Sequence, residues 1–398
     1  MQKTGFNRSI AEFSLDYGKC PPYLFERMVK LAKIIVISII ENFSAEELVY
    51  RLSDSVWFQS LGSVLAFDWN ASGLTTTTLG ALKQAISEIG PEQAGIFICG
   101  GKGKTSRKTP DEILKYSYQL GLNQAQTDNL IKTSKLTAKI DSSLVQDGFQ
   151  LYHHNFIFTK KLNWTVIQQG MNTKIKRARR YHWHSKTIKK NFFETPHATI
   201  ATEIILPNVF NLIDKKTKQH KTDLLTIVNQ KKDLFVEIKR IKNIKTGAQL
   251  SLLNLSDNDF KHHSIETEHF TKLPTQITKI FEDKRFIKTI ETVTDKPNNN
   301  LESLVLTKGV GPKTIRALSL LTEIIFGSKP SFTDPVRYTY AFGGKDGIPY
   351  PVNKTVYDKI IQIMETAIKK SSISFSDKNK ALKRLEQNFA YDKTKTIA

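Results

Sequence analysis

Lys313 stands two residues after Gly311 in the stretch Gly309-Val310-Gly311-Pro312-Lys313-Thr314, in a chain with only 20 glycines among 398 residues. Apolar residues frame it: Leu304 and Leu306 precede, and Ile315, Leu318 and Leu321 follow at helical spacing. Two helices joined by a Gly-hydrophobic-Gly turn turn the backbone N–H groups of the second helix toward an anion. Glycine permits positive φ and close approach, while the helix N-terminus and a nearby Lys supply positive potential. Gly309, Val310, Gly311 and Thr314 are therefore read as phosphate contacts, and Ala317 as the small residue that lets helices pack closely. A lysine amine in such a place becomes a nucleophile once deprotonated. A Gly-rich turn between two core helices is the plainer alternative.

Other constellations could also do chemistry. Lys174, Lys176, Arg177, Arg179, Arg180, Lys186, Lys189 and Lys190 surround Tyr181 and Trp183. Basic charge interleaved with aromatic rings suits a single strand or a flipped base, through phosphate pairing plus stacking; a solvated basic helix with Trp183 in the core is the alternative. Gly100-Gly101-Lys102-Gly103-Lys104-Thr105 lacks the first glycine of a Walker loop, which would fall on Ile98. It reads instead as an anion-binding loop, with Lys102, Lys104, Arg107 and Lys108 converging after a strand. Lys345, in Gly343-Gly344-Lys345-Asp346-Gly347, is a further basic candidate, and Asp68 to Gly73 a further polar turn. His153, His154, His182, His184 and His197 cluster in sequence. On strands His182 and His184 share a face while His153 and His154 do not, so hydrogen-bonded or stacking histidines are expected rather than a metal site.

The elements that must position these groups follow from pattern. Leu24, Met28, Leu31 and Ile35 lie at helical spacing, and Ser44 with Glu47 predicts the cap of the next helix. Gly95 to Cys99 predicts a strand, then a basic loop, then a helix from Thr109-Pro110. Leu151 to Phe158 and Trp164 to Gln168 predict a hairpin about Lys160 to Asn163. The fold class expected is α+β, with helices at the start, a mixed middle and a helical end. Composition places domains at 1–200, 201–296 and 297–398, the last break at Lys296-Pro297-Asn298-Asn299-Asn300.

Lys plus Arg number 59 against 38 Asp plus Glu, a net charge of +21, which favours a polyanionic partner. Abundant Lys, Asn and Ile also fit an AT-rich coding sequence. Two cysteines, Cys20 and Cys99, exclude a disulfide framework and suit a reduced compartment. The apolar run Ile34 to Ile40 is too short to span a bilayer. A cytoplasmic setting with no membrane partner is the expectation, association with the nucleoid being compatible with it.

Two resemblances add to this reading. The stretch from Gly309 through Phe326-Gly327 to Asp334 resembles the helix-hairpin-helix segment of endonuclease III-superfamily DNA glycosylases. That resemblance implies Lys313 as Schiff-base nucleophile and Asp334 as its assisting carboxylate, without a cofactor. The separation of Lys313 from Asp334 is about one helical turn longer than that superfamily's, and its iron–sulfur cysteines are absent, since no Cys follows residue 99. Over its whole length the chain also resembles an uncharacterised archaeal and bacterial family, domain of unknown function number seven-six-three. The stretches PPYLFERMVKLA, GGKGKTSRKTP, QLYHHNFIF, WTVIQQGM, RARRYHWHS and GGKDGIPYPVN carry this likeness. Where that family's first motif is similar to Leu-Pro-Leu-His-x-Gly, this chain has Phe13 to Gly18 with Asp16 in place of His. The function expected is DNA binding, DNA rather than RNA, with a glycosylase/AP lyase repair activity. A non-catalytic DNA or RNA binder and a metal-dependent nuclease are the alternatives.

Overall fold

The computed structural model describes residues 20–65, 71–188, 191–243, 278–295, 300–336, 338–339, 362, 365–366, 368–369 and 375–389. Phe13 to Gly18, Asp68 to Asn70, Lys296 to Asn299 and Lys345 lie outside them.

Helix α1 (Pro22–Asn42) opens on a proline, whose missing N–H costs nothing at a first helical position. It buries Met28, Leu31 and Ile35 of the predicted stripe, together with Ala32 and Ile39, and leaves Leu24 half-buried. Ser44 Oγ accepts from the Glu47 N–H at 3.0 Å and starts α2 (Ala45–Arg51); Asp54 caps α3 (Ser55–Val64). Helix α4 (Ala71–Ile89) and the short α5 (Pro91–Ala94) lead into β1 (Ile96–Lys102). A 3-10 segment, Gly103–Lys108, precedes α6 (Thr109–Gln119). Helix α7 (Gln124–Lys139), closed by a reciprocal Asn123/Gln126 cap, widens into one π-helical turn, Ile140–Leu144.

After β2 (Val145–Gln146), strands β3 (Gln150–Thr159), β4 (Trp164–Asn172) and β5 (Arg177–His184) form an antiparallel meander. The predicted hairpin is present, with Leu162 at φ 63° in its turn. Strand β6 (Thr199–Thr202) pairs with β5, and β7 (Phe210–Asn211) pairs with β2. Helices α8 (Lys218–Asn229), α9 (Lys231–Asn243), α10 (Lys284–Thr294), α11 (Leu301–Leu306) and α12 (Pro312–Phe326) follow. Strand β8 (Tyr338–Thr339) then joins β6 in parallel, and α13 (Phe375–Phe389) comes last. The main sheet runs β1-β3-β4-β5-β6-β8.

Strand alternation sends side chains to two cores. Ile96, Ile98, Ile157 and Ile167 pack under α1 to α4. Phe97, Phe156, Phe158, Val166, Tyr181 and Trp183 pack on the opposite face, in a cluster that continues through α7, α8 and α10 to α12. Each such buried Ile or Phe contributes roughly 2 kcal/mol of transfer free energy. The architecture is α+β, a sheet antiparallel from β1 to β6 with β8 added in parallel, and with helices on each face. The second core holds residues from Phe97 to Leu321, and the hairpin helices α11 and α12 join it by packing on α7, the π-helical turn and α8.

Candidate nucleic-acid interface

The predicted Gly-Val-Gly turn joins α11 to α12. Asn300 caps α11 by accepting from Ser303 N–H at 2.9 Å. Gly309 has φ 93°, and a Cβ there would lie 2.8 Å from Thr289 Oγ1 on α10, so only glycine fits. Val310, 1% exposed, plugs the turn into the core. Gly311 differs: its φ of −145° is extended backbone open to any residue, and a Cβ there would meet nothing within 4 Å. Lys308 and Lys313 flank it and are exposed. Thr314, read from the sequence as a phosphate contact, is buried, so its hydroxyl is not offered at the surface. Lys139 Nζ bonds the Val310 carbonyl, and Gln146 Nε2 donates to the Pro312 carbonyl at 2.9 Å, fixing the turn to the end of α7 and to β2. Ala317 is fully buried, and Gly327 ends α12 in the left-handed conformation at φ 71°.

Asp334 does not assist Lys313 as a free carboxylate. Its side chain is 2% exposed, and its two oxygens take Arg179 Nη1 at 3.0 Å and Nη2 at 2.8 Å. The Leu206 and Val336 N–H groups fill the remaining acceptor positions. A carboxylate held by a bidentate guanidinium and two amides is a brace.

The basic-aromatic segment also needs correction. Arg179, Arg180, Tyr181 and Trp183 are fully buried on β5, an inner strand, so none can pair a phosphate or stack on a base at the surface. Arg179 lies 4.7 Å from the Phe149 ring centre and pairs with Asp147 at 2.9 Å as well as Asp334; Tyr181 donates to Asp147 at 2.6 Å. Arg180, on the opposite face, lies over Phe58 and donates to Thr75 Oγ1, Ser55 O and Gln59 Oε1. Its Nε–H also donates to His182 Nε2 at 2.8 Å, which leaves His182 Nδ1–H to donate to Leu52 O at 2.9 Å. Burial and the adjacent Arg180 charge push His182 well below the usual imidazole range, consistent with that neutral tautomer.

His154 and His197 are structural too. His154 Nδ1–H donates to Gln168 Oε1 at 2.8 Å, so its Nε2 accepts from Ser134 Oγ–H at 2.9 Å. Gln168 then donates to Asp141, which also takes Trp183 Nε1–H at 2.9 Å and His197 Nε2 at 2.5 Å. Ser134 and His154 have the reach of a nucleophile and base, yet every member of the chain is buried and no substrate can arrive. Among the described residues no group of three His, Cys, Asp or Glu is placed to hold a metal ion.

Lys102, Lys104, Arg107 and Lys108 are exposed on the loop after β1. The loop's first amide, Gly100 N–H, is already bonded to Glu112 at 2.8 Å, and Lys83 bonds the Gly100 carbonyl. The exposed side-chain charge of Lys102, Lys104, Arg107 and Lys108 is what the loop offers an anion at its surface. Among the described residues the hairpin, this loop and Lys174, Lys176 and Lys186 of the basic segment are thus the exposed candidates, and sequence reasoning missed Asp141, Asp147, Ser134 and Gln168, which sit singly among unremarkable neighbours.

No curated protein and no solved structure matches the chain. No helix among the described residues is long and apolar enough to cross a membrane. A family model described as "Protein of unknown function (DUF763)" matches residues 9–352, and the chain belongs to that family.

Proposed function

We propose that the protein binds DNA through the α11–α12 turn, which grips a phosphate of the backbone. The observation that carries this reading is Gly311. Neither backbone conformation nor packing among the described residues requires glycine there, whereas close approach of a phosphate favours it. It opens onto the N-terminus of a 15-residue helix between two exposed lysines, an arrangement that favours an anion. The net charge of +21 supplies the general attraction. The test is duplex affinity of Gly311→Ala. A methyl over the amide should weaken binding about tenfold or more while the melting temperature holds; unchanged affinity sinks the reading.

A second reading, repair chemistry of the glycosylase/AP lyase type, is supported by Lys313 alone, whose amine is exposed beside the same turn. Its test is borohydride trapping on an abasic duplex. Wild type should trap and Lys313→Ala should not; no trapping by wild type leaves the hairpin as a grip without chemistry.

A further inference from the structure

We infer that Ile205 is a wedge that enters a DNA duplex and unstacks a base step, an inference that rests on the DNA-binding reading above. Ile205 is 64% exposed. Its backbone is nevertheless held on both sides by one buried ion pair: Arg179 Nη2 donates to the Ile204 carbonyl at 3.2 Å, and Leu206 N–H donates to Asp334 at 2.8 Å. Leu206 packs against the core beyond it. An isoleucine displayed to water from a pinned backbone gains nothing for the fold.

Its surroundings select the occupant. Arg177 pairs with Glu203 at 2.7 Å and so ties this segment to the β4–β5 turn. That turn is itself fixed, because Asn172 Oδ1 accepts from the N–H groups of Lys174 and Ile175 at 3.1 and 3.4 Å. It presents Ile175, 40% exposed, between exposed Lys174 and Lys176. The same ion pair leads to the hairpin, since Arg179 binds Asp147 and the preceding Gln146 binds Pro312. Among the described residues of this region Glu203 pairs with Arg177 while Asp147 and Asp334 share Arg179, three carboxylates against two guanidinium groups, and the exposed Lys174 and Lys176 turn the local balance positive at the surface. Apolar tips beside unneutralised lysines fit a duplex: the ammonium groups take phosphates and the isoleucine slides between bases, kinking the helix.

The experiment uses the full chain and a short duplex carrying 2-aminopurine at one internal step, with donor and acceptor dyes on its ends. Wild type should raise 2-aminopurine fluorescence and bring the dyes closer. Ile205→Ser, at an exposed position, should keep the melting temperature and change affinity by less than about tenfold, because phosphate contacts dominate it, yet lose both signals. Retention of both signals by Ile205→Ser overturns the wedge. So does sedimentation showing that wild type dimerises and Ile205→Ser does not, which would make this face a contact between copies. If Gly311→Ala weakens binding while Ile205→Ser unstacks normally, only the wedge falls; if wild type does not bind the duplex, the DNA reading falls and takes the wedge with it.

Discussion

Arg179 and Arg180 are consecutive residues of β5, fully buried, and directed to opposite faces of the sheet. One anchors the carboxylates Asp147 and Asp334, the other a set of neutral acceptors that includes His182. The two cores of the protein are therefore each organised about a guanidinium.

Arg179→Met should destabilise the fold severely. It strands two buried carboxylates, and removing one partner of a buried ion pair costs about 3–5 kcal/mol. Urea denaturation should show a lower midpoint, and Asp334→Asn, which keeps the shape and loses one charge, should cost less than Arg179→Met. Equal stability of wild type and Arg179→Met would contradict the bracing role.

Stability should fall as pH drops below about 6.5. Burial holds His154 and His182 below the usual imidazole range and pushes His153 down to about 3 and His184 to about 4. The unfolded chain takes up protons near pH 6.5 that the native state refuses. The stability present above that pH is lost as pH falls toward the native values. Each buried histidine contributes a slope of about 1.4 kcal/mol per pH unit in that window. Melting temperatures from pH 7 to pH 5 should fall accordingly, and a flat profile would argue against the buried neutral histidines.

The two glycines of the turn should separate cleanly. Gly309→Ala must adopt φ 93° and press on Thr289, so a loss of about 1–3 kcal/mol is expected. Gly311→Ala should stay within about 0.5 kcal/mol of wild type. Thermal melts of both variants check this, and equal losses would mean that Gly311 has an internal role.

Duplex affinity should depend steeply on salt. Each phosphate neutralised contributes a slope of about −0.9 in log affinity against log salt. Lys104→Ala combined with Arg107→Ala should reduce the slope by about 2 if both take part. Titrations between about 50 and 200 mM salt measure it; an unchanged slope excludes the loop after β1 from the interface.

The hairpin was legible because its information is local: a positive-φ glycine, a plug residue and helical spacing lie within some twenty residues of one another. The β3–β4 hairpin was legible for the same reason. The basic segment misled because density of arginine resembles a surface, whereas what buries Arg179 is supplied by Asp147 and Asp334, 32 and 155 positions away. Asp141 gave no signal of its own, since Gln168, Trp183 and His197 reach it from 27, 42 and 56 positions away. Period-two alternation predicted that the histidines divide between faces; it could not tell which face met which helix.

Strand β8 lies beside β6 in space but begins at Tyr338, while β6 ends at Thr202. On the ribosome the sheet therefore waits for its final strand, and Arg179 for its second carboxylate, through more than a hundred further codons. At about 5–20 residues per second that is an interval on the order of 10 s with β6 an open edge. A nascent chain halted within that interval offers the edge to any extended neighbour, so premature termination before Asp334 creates a more adhesive polypeptide than truncation after Thr339.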